Sequence, residues 1–154
     1  MSSVLVLGGT SWLGGEIAHH AVVRGHDVTC LARGESGVAP STVTFVQGDR
    51  SEPNAYDQLL DRRWDKVIDV SRQPGQVRSA VGVLGEMSSH WTFVSTGSVY
   101  ADQSGPLTEV SPLLEPLEGD VADPETYGEG KVACEQAVRS HPHHLVIRVG
   151  LIGG

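Results

Sequence analysis

The feature that most constrains this chain lies at its start. A continuous apolar run, Val4-Leu5-Val6-Leu7, leads directly into Gly8-Gly9-Thr10-Ser11-Trp12-Leu13-Gly14 and then into a helix-like segment. Unbroken apolar runs of that length suit a strand buried on both faces, as in a parallel sheet. Residues 12–24 place Leu13, Ile17, Ala18 and Ala21 on one helical face, and Gly25 stands where a C-terminal glycine belongs. A glycine-rich turn between first strand and first helix can hold a dinucleotide diphosphate. One glycine makes the tight turn, a second lets the backbone approach the phosphates, and a third lets the helix pack close on the strand. Gly8 and Gly14 fit the first and third roles, and Ser11 stands at the second. Serine is small and its hydroxyl could bond a phosphate oxygen, although its Cβ takes room. The amides of Thr10, Ser11, Trp12 and Leu13 would face the diphosphate from the helix N-terminus. The bland alternative is an ordinary glycine-rich connection.

The alternation continues along the chain. Residues 27–31, 43–46, 66–70, 91–95 and 145–149 read as strands, and 53–63, 74–87 and 127–140 as helices. Two of these helices have proline near the start, and Gly82 and Gly85 weaken the one over 74–87. This pattern predicts an α/β fold: a doubly wound parallel sheet, the Rossmann fold, with helices on both faces and ligands at the carboxyl ends of the strands. The 154 residues suit a single nucleotide-binding domain over 1–154. Residues 101–126 hold four prolines, seven acidic side chains and no basic one, and read as a long functional or poorly ordered loop at the mouth of a site.

Charge narrows the partners. A net charge of −8 repels a phosphate backbone, so nucleic acid is not an expected partner. No run is long and apolar enough for a membrane span, and no signal peptide is apparent at the N-terminus. Cys30 and Cys134 form no motif and suit reduced thiols in a cytoplasmic protein. The expected partner is a small-molecule substrate, with a homodimer left open. His141, His143 and His144 read as a turn of solvated imidazoles, and Trp12, Trp64 and Trp91 as packing residues.

Three further places carry chemistry. The second strand ends at Cys30-Leu31-Ala32-Arg33-Gly34, with no carboxylate to bind ribose hydroxyls. Arg33 could pair with a 2′-phosphate, which favours NADP over NAD; a solvated loop arginine is the alternative. Tyr127 and Lys131 lie four apart, on one face of a helix. An unperturbed phenol titrates near ~10, and a neighbouring ammonium would lower that enough for general acid–base work. The fifth strand ends Ser95-Thr96-Gly97-Ser98, so hydroxyls emerge at its carboxyl edge, either to bind a substrate oxygen or to cap their own turn.

Taken together, these residues resemble the extended short-chain dehydrogenase/reductase family, the NAD-dependent epimerase/dehydratase group. The elements come in family order: the Gly8 to Gly14 turn, Gly48-Asp49, the Ser95 to Tyr100 segment, Tyr127 with Lys131, and Arg148-Val149-Gly150. The resemblance implies Thr96 as catalytic hydroxyl, Tyr127 as acid/base, and Lys131 as its partner and ribose ligand. It implies that Asp49 reaches the adenine amino group and that Val70 and Ser71 line the cofactor; Arg50 is grouped with them. The run from Ala32 to Gly34, with Gly48-Asp49-Arg50, is similar to a reductase-like branch that includes plant plastid proteins described as RNA-binding. Ser11 departs from the family glycine. The family also continues past Gly154 into a substrate-binding part, so truncation before that part is expected. The implied activity is an NAD(P)-dependent epimerase, dehydratase or reductase acting on a hydroxyl or carbonyl, often of a nucleotide sugar. A non-catalytic NADP(H)-binding sensor or regulatory module is the alternative.

Overall fold

A computed structural model describes residues 1–152. Six strands, β1 (Ser3–Leu7), β2 (Asp27–Ala32), β3 (Thr44–Gln47), β4 (Lys66–Asp69), β5 (Trp91–Thr96) and β6 (His144–Val149), form one sheet in the order β3-β2-β1-β4-β5-β6. Every pairing is parallel. The helices are α1 (Trp12–Val23), α2 (Pro74–Leu84) and α3 (Tyr127–Arg139). Strand order reverses at β1, so a crevice opens outside the carboxyl ends of β1 and β4, where doubly wound sheets bind ligands.

Alternation along β1 separates two cores. Val4 and Val6 pack with Val28, Cys30 and Ala18 of α1. Leu5 and Leu7 pack with Val67, Phe93, Val77 of α2 and Val138 of α3. Trp64 and Trp91 are fully buried in this second core. Full burial of Leu5, Leu7 or Phe93 in the same core contributes roughly 1.5–3 kcal/mol each. Helices on both faces are as expected, but coverage is uneven. Register pairs Leu145 with Thr92 and Ile147 with Val94, on the face opposite Phe93 and Val146. Leu145 and Ile147 are 49% and 41% exposed, so none of the described helices covers that half of the sheet.

Four expectations are corrected. Residues 53–63 form no α-helix but a succession of turns around one 3-10 turn, Asp57–Leu59. Its amides bond three residues back, as in Ala55 to Glu52 and Leu59 to Tyr56, which lets Ala55, Tyr56 and Leu59 all reach the core. Over 74–87 the α-helix stops at Leu84, and Gly85–Met87 tightens into a 3-10 turn. Trp12 is 52% exposed and is not a packing residue, because it opens α1 on the outer side of the turn. His141 is buried, not solvated: its Nε2 lies 3.1 Å from the Gly85 carbonyl and its Nδ1 2.9 Å from that of His143. That ring ties the end of α3 to the segment after α2.

Candidate functional site

The glycine turn is built as tightly as its sequence implies. Gly8 has φ +97°, and a Cβ there would lie 2.7 Å from Val70 Cγ2. Gly14 presses α1 against the turn so closely that its Cβ would overlap the Gly8 carbonyl oxygen. Ser11 is the N-cap of α1. Its Oγ accepts the Gly14 N–H at 3.1 Å, and its hydroxyl donates to the Gly8 carbonyl at 2.8 Å. The serine thus spends its hydroxyl proton inside the turn rather than on a phosphate. Its amide is taken as well, by the Gly8 carbonyl at 3.1 Å. The amides of Trp12 and Leu13 open α1 and belong to the set a helix cannot satisfy itself. No acidic side chain sits in that first turn, which suits an anion there.

A groove of about 910 Å³ lies along the strand ends. Of the expected cofactor residues, Gly8, Thr10, Ser11, Arg33, Arg50, Val70 and Ser71 line it. Trp12, Leu13, Gly14, Asp49 and Lys131 are not part of its wall, and neither are Thr96 and Tyr127. Arg33 is paired with Glu35, another lining residue, at 3.2 Å. Sequence reasoning about the end of β2 missed this carboxylate because it lies three residues past the strand. Asp49 accepts the Ser51 N–H at 2.8 Å, and chiefly that bond holds its carboxyl below the ordinary range. Arg50 is buried. Its fork grips Asp69 at 2.9 and 2.7 Å, its Nε donates to the Tyr56 hydroxyl at 3.3 Å, and Nη2 also reaches the Gln76 carbonyl at 3.0 Å. Four of its five N–H groups are therefore in use.

The Tyr127 and Lys131 helix starts against the end of β5. A Cβ on Gly128 would lie 2.5 Å from the Ser98 carbonyl oxygen, and one on Gly130 would lie 2.6 Å from Ala122 Cβ. These two glycines, costly in a helix, let α3 wedge between the strand end and the acidic loop. Lys131 is only 3% exposed. Its Nζ donates to the carbonyls of Ser71 at 2.9 Å and Val94 at 2.7 Å, and lies 4.3 Å from the centre of the Phe93 ring. Burial lowers its pKa to about 8. Tyr127 is half-buried at the start of α3. Thr96 Oγ1 accepts the Ser98 N–H at 3.2 Å and donates to Ser98 Oγ at 3.3 Å, so it caps its own turn.

The acidic loop is pinned, not loose. The Gln73 side chain exchanges two bonds with the Ala122 backbone, at 2.7 and 3.2 Å. Arg78 donates to the carbonyls of Leu117 and Gly119 at 3.0 Å. Asp120 and Val121 thereby reach the groove wall. Near the end of β5, Glu135 is buried under Ser95 Oγ at 2.6 Å and a two-point grip from Arg148 at 3.0 and 2.7 Å. Sequence reasoning missed Glu135, Asp69 and Tyr56; charged or hydroxylated residues among buried positions of apolar elements were the available signal.

The chain matches the model of the NAD dependent epimerase/dehydratase family over residues 4–149. It belongs to that family. Among curated proteins, it is 25% identical to the chloroplast stem-loop binding protein of 41 kDa b from Arabidopsis thaliana, over 89% of this chain and 38% of that protein. Among solved structures, it resembles the UDP-Glc/GlcNAc 4-epimerase of Campylobacter jejuni, with 17% identity, a TM-score of 0.80, and coverage of 96% of this chain and 53% of that one. It also resembles the UDP-glucuronic acid 4-epimerase of Bacillus cereus in complex with NAD, at 16% identity, TM-score 0.77, and coverage of 99% and 57%. A third is a NAD dependent NDP-hexosamine 5,6-dehydratase of tunicamycin biosynthesis, at 20% identity, TM-score 0.74, and coverage of 96% and 54%. These likenesses show the fold. The chain spans 38% of the plant relative and between 53% and 57% of these solved chains. Among the described residues, no helix is long and apolar enough to cross a membrane.

Proposed function

We propose that this chain is the cofactor-binding portion of an NAD(P)-dependent enzyme that epimerises, dehydrates or reduces a small hydroxyl- or carbonyl-bearing substrate, with a nucleotide sugar as the leading class. The observation that carries this reading is Lys131, a buried amine held by the Ser71 and Val94 carbonyls beside the strand ends. Two of its three N–H groups are spent, which leaves one for a ribose hydroxyl. The groove suits a dinucleotide: Gly8 and Ser11 line it where α1 begins, a Cβ at Gly8 would strike Val70 in the same wall, and the amides of Trp12 and Leu13, at the N-terminus of α1 just beyond the wall, favour a diphosphate. Bound there, the nicotinamide would take or give a hydride. Tyr127, one turn before Lys131, exchanges a proton with the substrate oxygen, and Thr96 orients that oxygen once its hydroxyl turns from Ser98. Asp49 contacts the adenine amino group. The two 4-epimerases that the chain resembles are named for UDP-sugars, which supports the substrate class.

For the adenosine end we favour NADP, because Arg33 lines the groove and can turn to a 2′-phosphate. The 3.2 Å pair between Arg33 and Glu35 favours NAD as a second reading, since a 2′-phosphate must displace that carboxylate. The test is a fluorescence titration with NADPH and NADH, followed by NMR of UDP-glucose and UDP-galactose incubated with the full-length protein. Tyr127→Phe is expected to bind cofactor as wild type and to abolish turnover. Cofactor binding without turnover of any sugar nucleotide, in wild type as in variant, would favour the sensor module instead.

A further inference from the structure

Asp69 closes β4, a strand written Lys-Val-Ile-Asp, and its carboxylate is fully buried. Nothing in the proposed chemistry uses it. Yet every part of the group is committed. Arg50 grips both oxygens, at 2.9 and 2.7 Å, and Oδ1 also accepts the Ser71 N–H at 2.9 Å. The Ser71 hydroxyl donates to Gln76 Oε1 at 3.0 Å, which fixes the same turn from its other side. The Ser71 carbonyl then accepts the Lys131 amine at 2.9 Å. One unbroken chain of bonds runs from Arg50 through Asp69 and Ser71 to Lys131.

We propose that Asp69, locked by Arg50, is a positioning residue for Lys131: it sets the Ser71 carbonyl that carries the amine and supplies the carboxylate that offsets the amine's burial. The proposal rests on reading Lys131 as the amine that faces cofactor and substrate. The charged and titratable groups around Lys131 are few. On α3 itself lie Cys134 and Glu135, and from β4 comes Asp69, partnered by Arg50; β5 contributes the uncharged Phe93 ring. Burial pushes the Cys134 thiol up to about 12, so it is neutral over the working range. Glu135 bonds Arg148 and Ser95, and neither of those partners touches the amine. Asp69 is the carboxylate whose hydrogen bonds lead to the amine.

The chain has two lysines, exposed Lys66 and buried Lys131, so isotope labelling at lysine Cε gives one NMR titration for each. The experiment uses the full chain without cofactor and compares wild type, Asp69→Asn, and the double variant Arg50→Gln/Asp69→Asn. The double variant keeps the buried pair neutral and hydrogen-bonded, so it survives if the single variant does not fold. The expected result is a Lys131 midpoint near 8 in wild type that falls by about half a unit or more in Asp69→Asn and by a smaller, measurable amount in the double variant, where the Arg50 charge leaves with the carboxylate, with Lys66 unmoved. An unchanged Lys131 midpoint in a folded variant overturns the proposal. So does failure of both variants to fold, because the pair would then be supporting the sheet and not the amine. Binding of NADPH or NADH to wild type is measured separately. No binding with a shifted Lys131 removes the functional reading alone; binding with no shift removes this inference alone.

Discussion

Gly14 and Gly15 are neighbours in α1 and should respond in opposite directions to alanine. At Gly15 a new Cβ would meet only the Gly9 carbonyl oxygen, at 3.6 Å, an ordinary contact. Alanine there gains helix propensity, about 0.5–1 kcal/mol so near the helix start. At Gly14 the same gain is opposed by overlap with the Gly8 carbonyl oxygen, with its carbon at 2.8 Å and Ser11 Oγ at 2.9 Å. Two of these are backbone atoms that no rotamer change can move. Gly8 is further pinned by its N–H bond to the Leu31 carbonyl at 2.9 Å. Forced overpacking costs about 1–3 kcal/mol, and a backbone obstacle places this case at the upper end. Pushing α1 away also loosens the Ser11 cap, worth about 1 kcal/mol. After the propensity gain, Gly14→Ala loses about 3 kcal/mol and Gly15→Ala gains somewhat under 1 kcal/mol. For a domain of this size each kcal/mol moves Tm by about 2–4 °C, so Gly14→Ala should melt roughly 6–12 °C lower. Urea unfolding followed by tryptophan fluorescence gives both values, read as midpoints at unchanged slope. If the two variants unfold within about 0.5 kcal/mol of each other, the close approach of helix and turn is not what demands glycine.

Other consequences follow from the buried charges and the groove. Lys131→Met should be more stable than wild type at pH 7. The wild-type amine is protonated when unfolded up to pH 10.5 and, when folded, only up to about 8, so wild type regains stability relative to the variant as pH rises through that window, by roughly 3 kcal/mol. Urea midpoints of both proteins at pH 7 and pH 10.5 check this; the buried thiols, raised to about 11 and about 12, act with the opposite sign but are common to both. Glu135→Ala should cost about 3–5 kcal/mol, because Arg148 and Ser95 lose a buried partner; a loss under about 1 kcal/mol in urea would refute that cluster's role. Arg33→Ala should weaken NADPH several-fold and leave NADH nearly unchanged, read by the same fluorescence titration; equal effects on both would remove the 2′-phosphate assignment.

The sequence alone determined the sheet and where its ligand groove would open. Apolar runs of four to six residues, each followed by glycine or a polar turn, admit few arrangements other than a parallel sheet with helical crossovers. The places of Gly8, Gly14, Tyr127 and Lys131 were readable because they are set locally: a turn, a close packing, one helix. What local rules could not reach was decided by distant contacts. Residues 53–63 have helical composition, yet the core takes Ala55, Tyr56 and Leu59 from a run of turns. Ser11 is the exception: its hydroxyl closes on Gly8, three residues back, a local cap that sequence reasoning passed over. Arg50 lines the groove, and only the fold shows that it also grips Asp69, nineteen residues on. His141 and Glu135 found their roles in the same way. Backbone periodicity is written in adjacent residues, whereas the fate of a buried charge depends on which strand ends lie side by side, and only the closed sheet sets that.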